Sequence, residues 1–202
     1  MPDAKTAVLL IGFQNDYFAD DGVLRAVVQQ NATANGVLKN TLALLDELQS
    51  SDALFITLPI LFSPNYSELP RPTGLLATIK ELGAFRRDTV GGQTVPDFTS
   101  FGDRIETITG KTSFNAFFGT NLHERLTAQG ITDLVLCGVV TSVCIDSTGR
   151  AAAELGYGVT VLSDCTAGRS AAEHTFYCED IFPLYAQVQK SSTLLRHLHV
   201  AA

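Results

Sequence analysis

One cysteine of four stands where a thiol can do chemistry. In the stretch "LVLCGVVTSVCIDSTGRAAAELGY" (134–157) an apolar run ends at Gly138. A short connection, Val139 to Ser142, carries the hydroxyls of Thr141 and Ser142, residue types that cap a following helix. Cys144 then falls in the first turn of that helix. The dipole and unpaired N–H groups of a first turn favour an anion, here the thiolate. A thiolate placed this way attacks a carbonyl, and the same N–H groups suit the oxyanion that forms. The competing role is that of a small buried residue, the common fate of a free cysteine, and Cys137, Cys165 and Cys178 fit it better. A second group belongs with Cys144. Lys111, in "ITGKTSFNAFFGTNL" (108–122), lies just past an apolar segment among Ile108, Phe114, Phe117 and Phe118, and its charge would steady a thiolate or an oxyanion. A third stretch, "VLLIGFQNDYF" (8–18), ends an apolar run in Gly12 and then gathers Gln14, Asn15 and Asp16. Asp16 is the nearest carboxylate in sequence for proton handling, with a turn or capping role as its alternative.

These groups need elements to hold them. Apolar runs at 7–12, 53–60, 104–109, 132–140, 158–164 and 186–191 read as strands. Helix-period stretches lie between and after them at 36–49, 74–83, 120–130, 144–156, 170–186 (up to its proline) and 192–198. Residues 85–103 have no clear period and read as a long excursion. Strands separated by helices imply parallel pairing through right-handed crossovers, and near-continuous apolar strands imply a sheet covered on both faces. The expectation is one α/β domain over 1–202: a three-layer α/β/α, mostly parallel, Rossmann-like sheet of six strands. Ligands bind such sheets beyond the carboxyl ends of the strands, where Cys144, Lys111 and Asp16 all fall.

Composition narrows the partners. The chain has 202 residues, is 46% hydrophobic and carries a net charge of −7 with no basic block, which argues against nucleic acid. No apolar run approaches the ~18 residues of a membrane span. "MPDAKTAVLLIG" lacks the basic start, long apolar stretch and small-residue cleavage site of a secretory signal. Reduced thiols in a cytoplasmic protein are expected. No GxGxxG follows the first strand, and there is no phosphate-binding lysine loop and no GxSxG elbow. The segment 57–70 holds neither His nor Asp, and no metal-ligand spacing is present, so no cofactor and no metal are expected. His123 and His174 read as surface or packing residues, and His197 and His199 as exposed.

Three blocks in order, "LLIGFQNDYF", "GKTSFNAFFGTNL" and "CGVVTSVCIDSTGRAAAELGYGVTVLSD", make the chain resemble the isochorismatase-like cysteine hydrolases over residues 6 to 198. That family includes nicotinamidases, N-carbamoylsarcosine amidohydrolase, ureidoacrylate and biuret hydrolases, and isochorismatase. The resemblance implies the same α/β/α fold, a small-molecule substrate, and a homo-oligomer, dimer or tetramer. It implies that Cys144 is the nucleophile and that Lys111 is its supporting lysine. It places a cis peptide at Val139–Val140 and the oxyanion-binding N–H groups at Val140 and Cys144. It makes Tyr17 a wall of the substrate pocket, with Phe13 and Phe114 adding apolar surface, and gives Asp16 a supporting role.

The chain departs from the family at one position. The family's "D-x-Q-N-D" motif begins with the acid that takes the thiol proton and returns it to the leaving group, and here that position is Gly12. The expectation is a cysteine hydrolase of C–N or ester-type bonds without its usual acid, Asp16, water or substrate moving the proton. The alternative is a weakened or inactive member that binds without turnover. A third, redox-sensing role for Cys144 finds no obvious partner cysteine.

Overall fold

Ala7, Leu9 and Ile11 belong to one apolar cluster and Val8 and Leu10 to another, and all five are fully buried. That alternation is what a strand covered on both faces must show. In the computed structural model, which describes residues 5–29 and 34–200 (side chains of 29, 34–35 and 197–200 excepted), this strand is β1 (Thr6–Ile11). The readings of the first residues as lacking a leader and of the His197 and His199 side chains as exposed lie outside what is described.

Five more strands follow: β2 (Leu54–Leu58), β3 (Ile105–Thr107), β4 (Asp133–Val139), β5 (Gly158–Ala167) and β6 (Gln187–Gln189). All pair in parallel, in the order β3-β2-β1-β4-β5-β6. The helices are α1 (Asn15–Phe18), α2 (Arg25–Gln29), α3 (Ala34–Glu47), α4 (Gly74–Leu82), α5 (Leu122–Ala128), α6 (Asp146–Glu154), α7 (Ala171–Phe176) and α8 (Ser191–Val200). Val37, Leu44 and Leu45 of α3, Leu48 just after it, Ile79 of α4 and Leu194 and Leu195 of α8 cover one face of the sheet. Leu122 and Leu126 of α5 and Ala152 of α6 cover the other. This is the expected three-layer α/β/α arrangement. Among the described residues no helix is long and apolar enough to cross a membrane.

The order reverses between β1 and β4. The chain leaves β1 toward β2 on one side and returns to β4 on the other, which opens a crevice at their carboxyl ends. The two strands come very close there: at Gly138, with φ of +125°, a Cβ would lie 1.8 Å from the Ile11 carbonyl oxygen, so only glycine fits.

Some elements differ from the sequence expectation. The helix expected over 170–186 breaks into α7, a wide turn at Tyr177–Ile181 and a 3-10 turn at Phe182–Leu184, where Pro183 cannot continue an α-helix. The excursion contains a 3-10 segment at Pro96–Arg104, kinked at Gly102, whose Phe98 and Phe101 are buried. Helix α2 was not anticipated. Strand β5 runs on to Ala167 because its register shifts against β4: Val161 pairs with Leu136 but Thr166 with Gly138. The extra residues bulge outward, and that bulge matters for the site.

Candidate active site

The polar triplet after β1 is a clamp. Gln14 is fully buried; its Nε2 donates to the carbonyls of Ile60 (2.9 Å) and Gly92 (2.7 Å), and its Oε1 accepts from the Ile60 N–H (3.0 Å). Asn15 Nδ2 donates to the Val90 carbonyl at 2.8 Å. Asp16 accepts from the Phe85 N–H at 2.6 Å, and its carboxylate fills the space a side chain at Gly91 would need. Together the three fasten the end of β1 to the end of β2 and to the excursion. Burial raises the Asp16 pKa, and the Phe85 N–H opposes the shift.

Cys144 lies in a wide turn, Thr141–Ile145, between β4 and α6 rather than in the first turn of a regular helix. The Val140 carbonyl, at the mouth of this turn, accepts from the N–H groups of Val143 (3.0 Å) and Ile145 (3.3 Å). The Val139–Val140 peptide is cis, as the resemblance implied. Lys111 reaches the turn from the loop after β3. Its Nζ lies 3.8 Å from Cys144 Sγ, and the two residues are 1% and 6% exposed. Burial pushes the Lys111 pKa below its ordinary value, and the sulfur beside it opposes the shift. The Lys111 carbonyl accepts from Leu61 N–H at 3.0 Å, and Ala116 N–H donates to Thr148 Oγ1 of α6 at 3.1 Å, so the lysine loop is tied at two points. Phe114, Ala116 and Phe117 of this loop join the cluster that holds Cys144.

Thr141 and Ser142 do not cap the turn; their hydroxyls go to α7 instead. Thr141 Oγ1 lies 2.9 Å from His174 Nδ1, and Ser142 Oγ donates to Glu173 Oε1. Glu173 in turn accepts from Arg169 Nε at 2.7 Å. Of the two roles expected for His174, surface or packing, it takes the second: it is a buried prop for the nucleophile turn. The sequence carried a signal for it: "SAAEH" places a capping Ser170 three residues before Glu173, which starts α7 at the right point. His123, by contrast, is exposed and pairs with the Tyr157 hydroxyl at 2.9 Å.

The sequence model of the isochorismatase domain matches residues 6–193. The chain belongs to the isochorismatase family of hydrolases. It is 30% identical over 178 residues to an Arabidopsis thaliana protein named "probable inactive nicotinamidase", with 85% of each chain covered. It is 28% identical to the ureidoacrylate amidohydrolase RutB of Rhizobium rhizogenes over 81% of this chain and 70% of that one. A shorter match, 35% over 88 residues, is to the isochorismatase family protein YecD of Escherichia coli O157:H7; it spans 44% of this chain and 47% of that protein. In fold, the chain superposes on a cysteine hydrolase from Pseudomonas syringae with a TM-score of 0.84 at 20% identity, covering 98% of this chain and 94% of the other.

Within this isochorismatase fold Gly12 is more than a missing side chain. Its φ is +75°, and a Cβ there would lie 2.6 Å from the Val139 carbonyl oxygen and 3.2 Å from Val139 Cγ2. Placing an acid there by Gly12→Asp must therefore push the β1 end off the β4 end. The expected cost is at least about 2 kcal/mol from left-handed strain and overpacking together. That corresponds to a melting temperature lower by roughly 4 °C or more. Calorimetry checks this; an unchanged melting temperature with a gain in amide hydrolysis would mean that the site had simply lost its acid.

The other predicted site residues divide. Tyr17 is buried, packs on Phe85 and lies close enough to Cys144 and Asp16 for both charges to act on its hydroxyl; burial holds its pKa well above the ordinary tyrosine value. Phe114 is half-buried in the Cys144 cluster. Phe13 is spent on the core, enclosed between Phe18 and Phe98 with ring centroids at 5.3 and 5.1 Å. Asp16 serves the excursion; among the described residues no hydrogen bond joins it to Cys144 or Lys111. The Phe85 N–H and the close approach of Gly91 hold the carboxylate in the loop, the use that the turn role describes. All four cysteines are free. The residues after β2, Ile60 to Ser63, do not fit a metal, and among the described residues no three His, Cys, Asp or Glu side chains group to hold one.

Proposed function

We propose that the protein is a cofactor-free cysteine hydrolase that cleaves an ester-type or C–N bond of a small molecule through Cys144, with Lys111 moving the proton. The observation that carries this reading is the 3.8 Å contact between Lys111 Nζ and Cys144 Sγ in a place nearly sealed from water. With Gly12 offering no side chain and Asp16 engaged elsewhere, Lys111 is the titratable group in contact with the sulfur.

A lysine whose pKa is lowered by burial is able to act as a base. The thiol proton passes to Nζ, leaving a thiolate beside an ammonium. Sγ attacks the carbonyl carbon; a C–S bond forms and the carbonyl electrons move to oxygen, toward the N–H groups of Val140 and Cys144. As the intermediate collapses, the bond to the leaving group breaks and the leaving atom takes the proton from Nζ. Water then gives a proton to Nζ and attacks the thioester. Collapse expels the Cys144 thiolate, and the free acid departs. Tyr17 and Phe114 bound the small-molecule pocket.

A single lysine is a weaker substitute for the family's carboxylic acid when an amide nitrogen must leave. Among substrates with the same acyl group, thioesters and aryl esters should turn over at least about 10²-fold faster than the amide, the lower end of what acid–base catalysis supplies. Matched kinetics on such a series test this, and an amide cleaved as fast as the ester would contradict it. A second reading, a binding protein without turnover, is favoured by the closed backbone at Gly12 and by the relative named an inactive nicotinamidase. No turnover of any member of the series would decide for it.

A further inference from the structure

We infer that His174 is a positioning residue for Cys144, holding the nucleophile turn through Thr141 and loosening that hold when acid reaches the imidazole from a separate cleft. The inference deepens the hydrolase reading and rests on it for what Cys144 does.

Bonding around the ring fixes its state. His174 Nε2 lies 2.9 Å from the Ser163 carbonyl oxygen, which can only accept, so Nε2 carries the proton. Nδ1 is then the acceptor, and the fully buried Thr141 hydroxyl donates to it at 2.9 Å. Ser163 lies in the β5 bulge, and the bulge is anchored in turn. The Asp164 carboxylate accepts from Ser191 N–H (2.8 Å) and Oγ (2.7 Å), and its carbonyl accepts from Asn40 Nδ2 (2.7 Å). A continuous chain of bonds thus runs from α3 and α8 through the bulge and His174 to the first residue of the Cys144 turn.

The ring also borders solvent. His174 forms part of a cleft of about 680 Å³ with Ser163, Cys178, Glu179, Val188 and Lys190. The groups that face it are Thr141, the Ser163 carbonyl, Glu173 on its own helix, Cys178 Sγ at 3.5 Å from Nε2, and the cleft's Asp164, Glu179 and Lys190. Burial lowers the His174 pKa, against the Ser163 bond and Glu173, so the neutral ring is the working form near neutrality. Protonation turns Nδ1 into a donor. The bond then reverses: Thr141 accepts and must aim its own hydrogen into buried surroundings, which weakens the hold on the turn.

The test reads Cys144 itself rather than turnover. Iodoacetamide alkylation of Cys144, followed by peptide mass spectrometry, is measured between about pH 5 and 8, where histidine titrates. Thr141→Val and His174→Ala should each slow alkylation at neutral pH about 5-fold, one buried hydrogen bond's worth. The double variant should be no slower than either. His174→Asn, which keeps an acceptor but does not titrate there, should restore most of the rate lost in His174→Ala and fall on the acid side only as far as thiolate protonation requires, without the additional wild-type loss. Unchanged rates, multiplying losses or an acid-side fall as steep in His174→Asn as in wild type would each overturn the inference. If His174→Ala does not fold, Thr141→Val and His174→Asn still decide it. Failure of the hydrolase reading is seen separately, as turnover that persists in Cys144→Ala.

Discussion

Lys111→Met should lower kcat by about 10²–10⁴-fold, the range of acid–base catalysis, and leave the protein folded. Methionine follows the lysine stem in shape and brings no charge into a site that is 1% exposed, so the chain should be as stable as wild type or more so. The stability difference should depend on pH in a definite sense. Burial lowers the folded-state pKa of Lys111 beneath the ordinary value of about 10.4, so the unfolded chain binds more protons between the two values. Wild-type stability therefore rises with pH across that window, and the advantage of Lys111→Met shrinks there. The wild-type activity should fall on the alkaline side below the ordinary lysine range, where Nζ gives up its proton. Denaturant titrations and pH–rate curves on both proteins check these points. A variant with near wild-type kcat would reduce Lys111 to a packing residue.

Cys144→Ala should remove turnover almost entirely, by about 10⁴-fold or more, because the hydroxyls of Thr141 and Ser142 in the same turn are engaged by His174 and Glu173. The two groups act on one proton, so their effects should not multiply: Lys111→Met added to Cys144→Ala should change little. Cys144→Ser tests the chemistry more finely. The oxygen fits the space, but its proton is far harder for a lysine to take, and activity should stay close to that of Cys144→Ala. If the double variant were slower by the product of the two losses, Lys111 would be acting on something other than the thiol.

The sheet was legible because both of its periodicities are strong. Fully apolar strands such as "AVLLI" and "LVLC" have one reading, and the helices of the two layers carry clear stripes. That Cys144 and Lys111 would meet at one edge of the sheet was legible because each follows a strand end and stands beside a glycine-bearing connection. Three features were not. The run Gln14–Asp16 could be read only as polar groups gathered past a strand end; the positions of Ile60, Val90, Gly92 and Phe85, far away in sequence, make it a clamp. Thr141 and Ser142 looked like caps because capping is the local use of a hydroxyl, whereas their partners lie more than thirty residues on. Phe13 looked like a pocket wall, but Phe18 and Phe98 enclose it. At Gly12 the left-handed backbone and the nearby Val139 carbonyl, which a side chain could meet only by a shift, were not legible, because neither leaves a trace in the local sequence.

The central claim is that Cys144 becomes covalently acylated with Lys111 as its proton partner. The most direct measurement is intact-protein and peptide mass spectrometry of enzyme acid-quenched during turnover of an activated ester. The account predicts an acyl adduct on the peptide carrying Cys144, formed slowly or not at all in Lys111→Met and absent in Cys144→Ala. Hydrolysis that continues in Cys144→Ala, with no adduct on the wild-type thiol, would contradict it.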